Sequence, residues 1–220
     1  MTEKNPHCGA RGGHAYHHGD LANALVRAAT EMVGARGAGA LTLRAVAHRA
    51  GVSPAAVYRH FRNRSALLEA VAAEGFAALR EAFARVLAEE AGAEPRRRLG
   101  ALGEAYVAFA LSRPHLYSLM LGPDRPPSLA APRLDGGDGT ATTFTLFRST
   151  LAACLGADAD TTTVARLAIA SWSLVHGYVA LRLRGLLDGA PAEALADTGA
   201  IIGSLAIACP PNGSGGGRPA

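Results

Sequence analysis

Residues 42–61, TLRAVAHRAGVSPAAVYRHF, place Gly51 just ahead of Ser53-Pro54, and this punctuation constrains the chain more than any other feature. Glycine ends a helix in the left-handed conformation, while serine followed by proline opens one as N-cap and first helical residue. The stretch therefore predicts two short helices around a three-residue turn. Thr42 caps the first, whose Leu43, Val46, Ala47 and Ala50 share one face, and residues 55–61 make the second. Neither is long enough to persist alone in water, so each must pack on the other and on flanking elements. Ala47 is small enough for a close crossing, and Val52 and Val57 supply the apolar contact, which is the helix-turn-helix pattern.

The flanks are helical as well. Asp20 stands as N-cap before Leu21, Leu25, Ala28, Ala29, Met32 and Val33, predicting a helix over 20–36 that ends at Gly37 and Gly39. Asn63 and Ser65 offer caps for a helix over 64–91, on the order of 40 Å long and able to connect two domains. Further helices are expected at 95–112, 114–121, 140–156, 161–187 (capped by Asp158 or Asp160) and 191–208, with a Pro- and Gly-rich loop at 122–139. About nine helices and no strand make the chain all-α. Composition agrees: 48 of 220 residues are alanine and only 5% are aromatic, a core that helices tolerate better than sheets. The expected organisation is a flexible arm at 1–18, a helix-turn-helix domain at 19–75, a regulatory and dimerisation domain at 76–208 and a tail at 209–220.

The formal net charge of +4 averages two unlike regions. Residues 1–64 carry nine basic and three acidic side chains, a net of +6, while 65–220 carry thirteen and fifteen, a net of −2. A polyanion would meet the N-terminal third first, and nucleic acid is the obvious candidate. Cys8, Cys154 and Cys209 lie too far apart to suggest a disulfide framework or zinc finger, which fits a reducing, cytoplasmic setting. No secretory signal is read, and the longest apolar run, 167–181, is shorter than the roughly 20 residues a bilayer requires, so no membrane role is expected.

Leu41-Thr42-Leu43-Arg44, Ala47, Ala50-Gly51-Val52-Ser53, Val57-Tyr58-Arg59-His60-Phe61 and Asn63-Arg64-Ser65-Ala66-Leu67-Leu68 together resemble the N-terminal domain of TetR/AcrR-type transcriptional regulators, over about residues 17–75. Trp172-Ser173-Leu174-Val175-His176-Gly177 resembles the WHG-type C-terminal ligand-binding and dimerisation domain of one branch of that family. Tyr16-His17-His18-Gly19-Asp20 is similar to a leader on the same branch.

The resemblance implies a role for each matching residue. Pro54, Ala55 and Ala56 would meet base edges or thymine methyls in the major groove of double-stranded DNA, and Arg59 a guanine or a phosphate. Tyr58 and His60 would hold phosphates; Thr42, Arg44 and Arg64 would add contacts that set register without reading sequence. Arg11, His17 and His18 could extend the contact from the arm, whereas Arg36 and Arg49 read as solvated charges. Ala55 and Ala56 offer no hydrogen bonds, so readout would lean on few side chains and on DNA shape. The resemblance further implies a homodimer on a palindromic operator, most simply a repressor released by a small-molecule ligand.

In the C-terminal part, Tyr106, Phe109, Tyr117, Met120, Phe144, Phe147, Trp172 and His176 are candidate contacts for a small apolar ligand, and all of them also suit a core. Trp172 and His176 share a helical face, facing either a pocket or a dimer seam. Gly177 within a helix costs about 1 kcal/mol against alanine, which suggests close approach of another helix. The apolar helices at 161–187 and 191–208 have faces to spare, and paired across a two-fold they would form a four-helix bundle. His7, Cys8, His14, His17 and His18 lack fixed metal-ligand spacing, so no metal or other cofactor is expected. No nucleophile, phosphate-loop or dinucleotide motif supports an enzyme. The rival readings are a nonspecific or architectural DNA-binding protein without a ligand and, more remotely, a helical enzyme carrying a DNA-binding domain.

Overall fold

The computed structural model describes residues 18–122, 125 and 142–190. Among them run eight α-helices and no strand: α1 His18–Arg36, α2 Leu43–Arg49, α3 Pro54–His60, α4 Arg64–Glu89, α5 Pro95–Ser112, α6 Pro114–Leu121, α7 Thr143–Leu155 and α8 Thr161–Leu183. The expected arm, the loop at 122–139 apart from Gly122 and Arg125, the helix at 191–208 and the tail lie outside the described residues.

Short polar side chains set most helix starts. Thr42 accepts from the Ala45 N–H at 3.1 Å, Ser53 from Ala56 at 3.3 Å, Asn63 from Ala66 at 2.9 Å, Thr142 from Thr145 at 3.1 Å and Asp160 from Thr163 at 2.9 Å. Each cap satisfies a donor that the first helical turn leaves orphaned and contributes about 1 kcal/mol. Asp160, not Asp158, caps α8, and Asn63, not Ser65, caps α4.

Helix ends follow glycine. After α2, Gly51 turns to φ 68° while its N–H reaches the His48 carbonyl and that of Val52 the Ala47 carbonyl, the paired bonds of a Schellman stop. Gly185 at φ 70° repeats the arrangement after α8, with Gly185 N–H on Arg182 and Leu186 N–H on Leu181. That stop ends α8 four residues before the expected 187. Gly37, at φ 77°, leads from α1 into a 3-10 turn at Ala38–Ala40 that the sequence pattern did not reveal.

The helices share one core. α1 packs on α4 and α6, α2 on α3 and α1, α4 on α5, α6 and α7, and α8 on α5 and α7. Buried residues run without a break from Leu25 in α1 through Leu67, Leu79, Leu102 and Leu119 to Val179 in α8. α4 thus belongs to both halves of the molecule. Gly75 makes its crossing with α6 possible: a Cβ there would overlap the Met120 sulfur and sit 3.1 Å from Met120 Cγ and 3.2 Å from Leu116 Cδ1. Thr30 on α1 donates to the neighbouring Glu74 carboxylate at 2.7 Å.

α8 corrects two expectations. At 23 residues it is long and apolar enough to cross a bilayer by length and composition, because its ends extend the uncharged run at 167–181 past Arg166 and Arg182. One face nevertheless packs on α5 and α7 through Ala168, Ser171, Val175 and Val179. The other face is open, with Ile169, Leu174 and Leu181 exposed. Gly177 lies on that open side, and among the described residues no atom of another element comes within 4 Å of where its Cβ would be.

Candidate nucleic-acid interface and effector cleft

α3 buries only Val57, which anchors it to α2 while the rest of its surface faces outward. Pro54, Ala55, Tyr58 and Arg59 are exposed and Ala56 and His60 half-buried, with Tyr58 55% exposed although it is aromatic. Arg44 is exposed at the start of α2, beside Thr42, whose hydroxyl is already engaged as the cap. Between Glu31 and Glu69 there are six arginines and no acidic residue, so nothing within this segment neutralises the face. An exposed helix with a cationic surround suits a major groove flanked by phosphates.

Two arginines have partners that the sequence did not indicate. Arg64 donates from Nε to the Leu41 carbonyl at 2.9 Å and from a terminal nitrogen to the Ala38 carbonyl at 2.5 Å, fastening α4 to the 3-10 turn. Its guanidinium is therefore partly engaged inside the chain. Arg49, expected to be a solvated charge, forms an ion pair with Glu31 that ties α2 to α1. Both side chains remain more than half exposed, so this pair contributes at most about 1 kcal/mol.

In the C-terminal half the predicted aromatics converge on Trp172. Phe144 and Phe147 lie with ring centroids 5.5 Å from it, Tyr106 at 5.3 Å and His176 at 5.1 Å. His176 Nδ1 donates to the Trp172 carbonyl at 2.9 Å, since a carbonyl can only accept. Its Nε2 is then the acceptor for the Tyr106 hydroxyl at 2.9 Å, and that hydroxyl lies 3.2 Å from the hydroxyl of Tyr117. Burial holds the His176 pKa below its ordinary value, against the weaker opposing effect of the Trp172 bond, which favours the neutral tautomer this chain of bonds needs. Burial likewise pushes the Tyr106 and Tyr117 phenols upward, so both stay protonated.

A cleft of about 560 Å³ opens between α6 and α8, within the usual size range of small-molecule sites. Of the eight candidate residues only Tyr117 and His176 line it; Tyr106, Phe109, Met120, Phe144 and Phe147 are buried in the core, and half-buried Trp172 stands behind His176. The other walls come from residues the sequence reading passed over, among them Pro114, His115, Leu121, Ala180 and Arg184. Gly177 was the available signal, for a helix with small residues at 177 and 180 leaves room beside it. Among the described residues no cluster of three or more His, Cys, Asp or Glu could hold a metal ion.

A capped helix-turn-helix and a ligand-sized cleft within one helical chain define a regulator of the helix-turn-helix class. Family models place it further: residues 25–71 match bacterial regulatory proteins of the tetR family, and residues 99–200 match the tetracyclin repressor-like C-terminal domain. The chain belongs to the TetR family. A protein of unknown function from Rhodococcus sp. RHA1 is 34% identical over 89% of this chain and 94% of its own, with a TM-score of 0.66. A tetR-family transcriptional regulator from Streptomyces coelicolor shares the fold at 18% identity and a TM-score of 0.65, over 86% of this chain and 81% of its own. The tetracycline repressor protein class A from transposon 1721 of Escherichia coli is 46% identical over 50 residues, which is 23% of this chain and 23% of that protein.

Proposed function

We propose that the chain is a cytoplasmic, homodimeric repressor that binds a palindromic operator through α3 and releases it when a small molecule enters the α6–α8 cleft. The observation that carries this reading is the exposed face of α3, in a segment without acidic residues, where Tyr58 and Arg59 stand clear of the core and Arg44 is exposed at the start of α2. On this reading 19–75 is the reading head, with Pro54, Ala55, Ala56 and Arg59 toward the bases and Thr42, Arg44, Tyr58, His60 and the free part of Arg64 toward phosphates. Residues 76–208 are then the regulatory part, of the WHG type. The open face of α8 away from the cleft, with Ile169 and Leu174 beside small Ala170 and Ser173, is the seam where a second copy packs.

Coupling between cleft and head is direct, because α6 has two working faces. Tyr117 and Leu121 face the cleft, while Leu116 and Met120 press on Gly75 of α4. At the start of α6, His115 lines the cleft and packs over Gly37, 3.5 Å from that residue's would-be Cβ and next to the turn that holds Arg64. A ligand that prefers a displaced α6 shifts α4 and the 3-10 turn together, and releases DNA by as much as its affinity differs between the two states.

Selection of bound sequences from random DNA tests the reading. The expected product is a palindrome whose half-sites lie about one helical turn, 34 Å, apart, bound by a dimer in light scattering. Binding that random competitor DNA removes at physiological salt would instead mark a nonspecific binder.

A further inference from the structure

Among the described residues, the titratable side chains lining the cleft are His115, Tyr117, His176 and Arg184, and none is a carboxylate. Arg184 caps the C-terminus of α8 and is exposed, and among the described residues neither it nor His115 makes an ion pair or side-chain hydrogen bond. The described carboxylate nearest along the chain, Asp188, turns instead toward Gly185, 3.0 Å from where a Cβ would stand.

The backbone acts in the same sense. α6 begins at Pro114 with no side-chain cap, so the positive end of its dipole opens beside His115 on the cleft wall. The end of α8, which would oppose an anion, has its Leu181 and Arg182 carbonyls engaged by the N–H groups of Leu186 and Gly185. Between these poles the walls are apolar: Pro114, Leu121, Ala180 and Leu183.

We propose that the effector is an amphipathic carboxylic acid, its carboxylate held by Arg184 at the mouth of the cleft and its hydrocarbon body laid between Leu121, Ala180 and Leu183. This rests on the reading of the cleft as the effector site and names the chemistry of what enters it. A bidentate guanidinium–carboxylate pair at the edge of an apolar cleft gives direction as well as affinity, because the carboxylate stays solvated on one side while the chain is buried. A cation of equal size gains the apolar contact but meets Arg184 with like charge.

Trp172 is the chain's single tryptophan and its ring lies 5.1 Å from the His176 ring, so intrinsic fluorescence reports on the cleft. The test titrates the full-length protein at neutral pH with decanoate, decanol and decyltrimethylammonium, with operator affinity followed in parallel. Decanoate is expected to bind about tenfold more tightly than decanol, a difference near 1.4 kcal/mol, and the ammonium amphiphile most weakly. Arg184→Gln should bring decanoate down to the affinity of decanol while leaving decanol unchanged. Equal affinities, a preference for the cation, absence of saturable binding, or discrimination that survives Arg184→Gln would each overturn the assignment. Saturable decanoate binding that leaves operator affinity unchanged would uphold the carboxylate site and break the effector reading. Operator release by a neutral or cationic compound, with decanoate inert, would do the reverse.

Discussion

Among the described residues α3 and α8 each leave a broad face uncovered, and the two faces ask for opposite partners. On α3 the open surface is short, cationic and polar, held out by a single buried anchor, Val57. On α8 it is long and apolar, with Ile169, Leu174 and Leu181 exposed between small residues. A surface of the first kind is stable in water and gains from meeting phosphate; the second costs free energy until another apolar surface covers it. The lesson is that exposure alone does not mark a site. The chemistry of what is exposed decides whether the partner is a polyanion or another apolar surface.

Substitutions behind the two faces should separate stability from binding. Trp172→Ala empties the centre of the aromatic cluster and is expected to lower unfolding stability by about 3–5 kcal/mol, measured by denaturant titration. Because the core is continuous, the loss should appear in one transition that includes the reading head; a head that melts separately would divide the molecule where the core shows no division. Arg59→Ala, on the α3 face, should weaken operator binding by about 1–3 kcal/mol and change stability by no more than about 0.5 kcal/mol. Comparable losses in both measurements would mean that α3 is a structural helix.

Gly75→Ala tests what joins the two regions. Overpacking against Met120 costs about 1–3 kcal/mol, offset by about 1 kcal/mol of helix propensity, so a net loss of up to about 2 kcal/mol is expected. Operator affinity should change with it, and an unaltered affinity would disconnect α6 from the head. The smallest effect is with pH. Because the folded pKa of His176 lies below its unfolded value near 6.5, the unfolded chain takes up the proton first as pH falls. Stability attributable to this group is complete above about pH 6.5 and declines as pH drops toward the folded value. His176→Gln should flatten that slope in melting temperatures recorded at neutral and mildly acidic pH.

Legibility followed the range of the interaction. The starts of α5 and α6 were readable because proline at the first helical position is a local device, and the two reading-head helices because Thr42, Ser53 and Gly51 act within four residues. The end of α8 was misplaced because the apolar pattern continues past Gly185, and only its left-handed φ stops the helix. The exposed residues of α3 were readable as a group through the motif. Arg64 and Arg49 were not, since their partners lie 26 and 18 residues away. The bulky residues of the C-terminal part were readable as one cluster but not divided between core and cleft, as burial toward either looks the same along one helix.

The sequence by itself determined an all-α chain, the position of its helix-turn-helix and the place of its positive charge, because caps, turn residues and charge are set by neighbours along the chain. Only the tertiary structure decided that α4 belongs to both halves, that Gly75 admits α6, and that the cleft opens beside Tyr117 and His176 with Arg184 unpaired at its edge. Those outcomes depend on which helices cross and how closely. Such crossings are fixed by the packing of side chains far apart in sequence, and no local pattern encodes them.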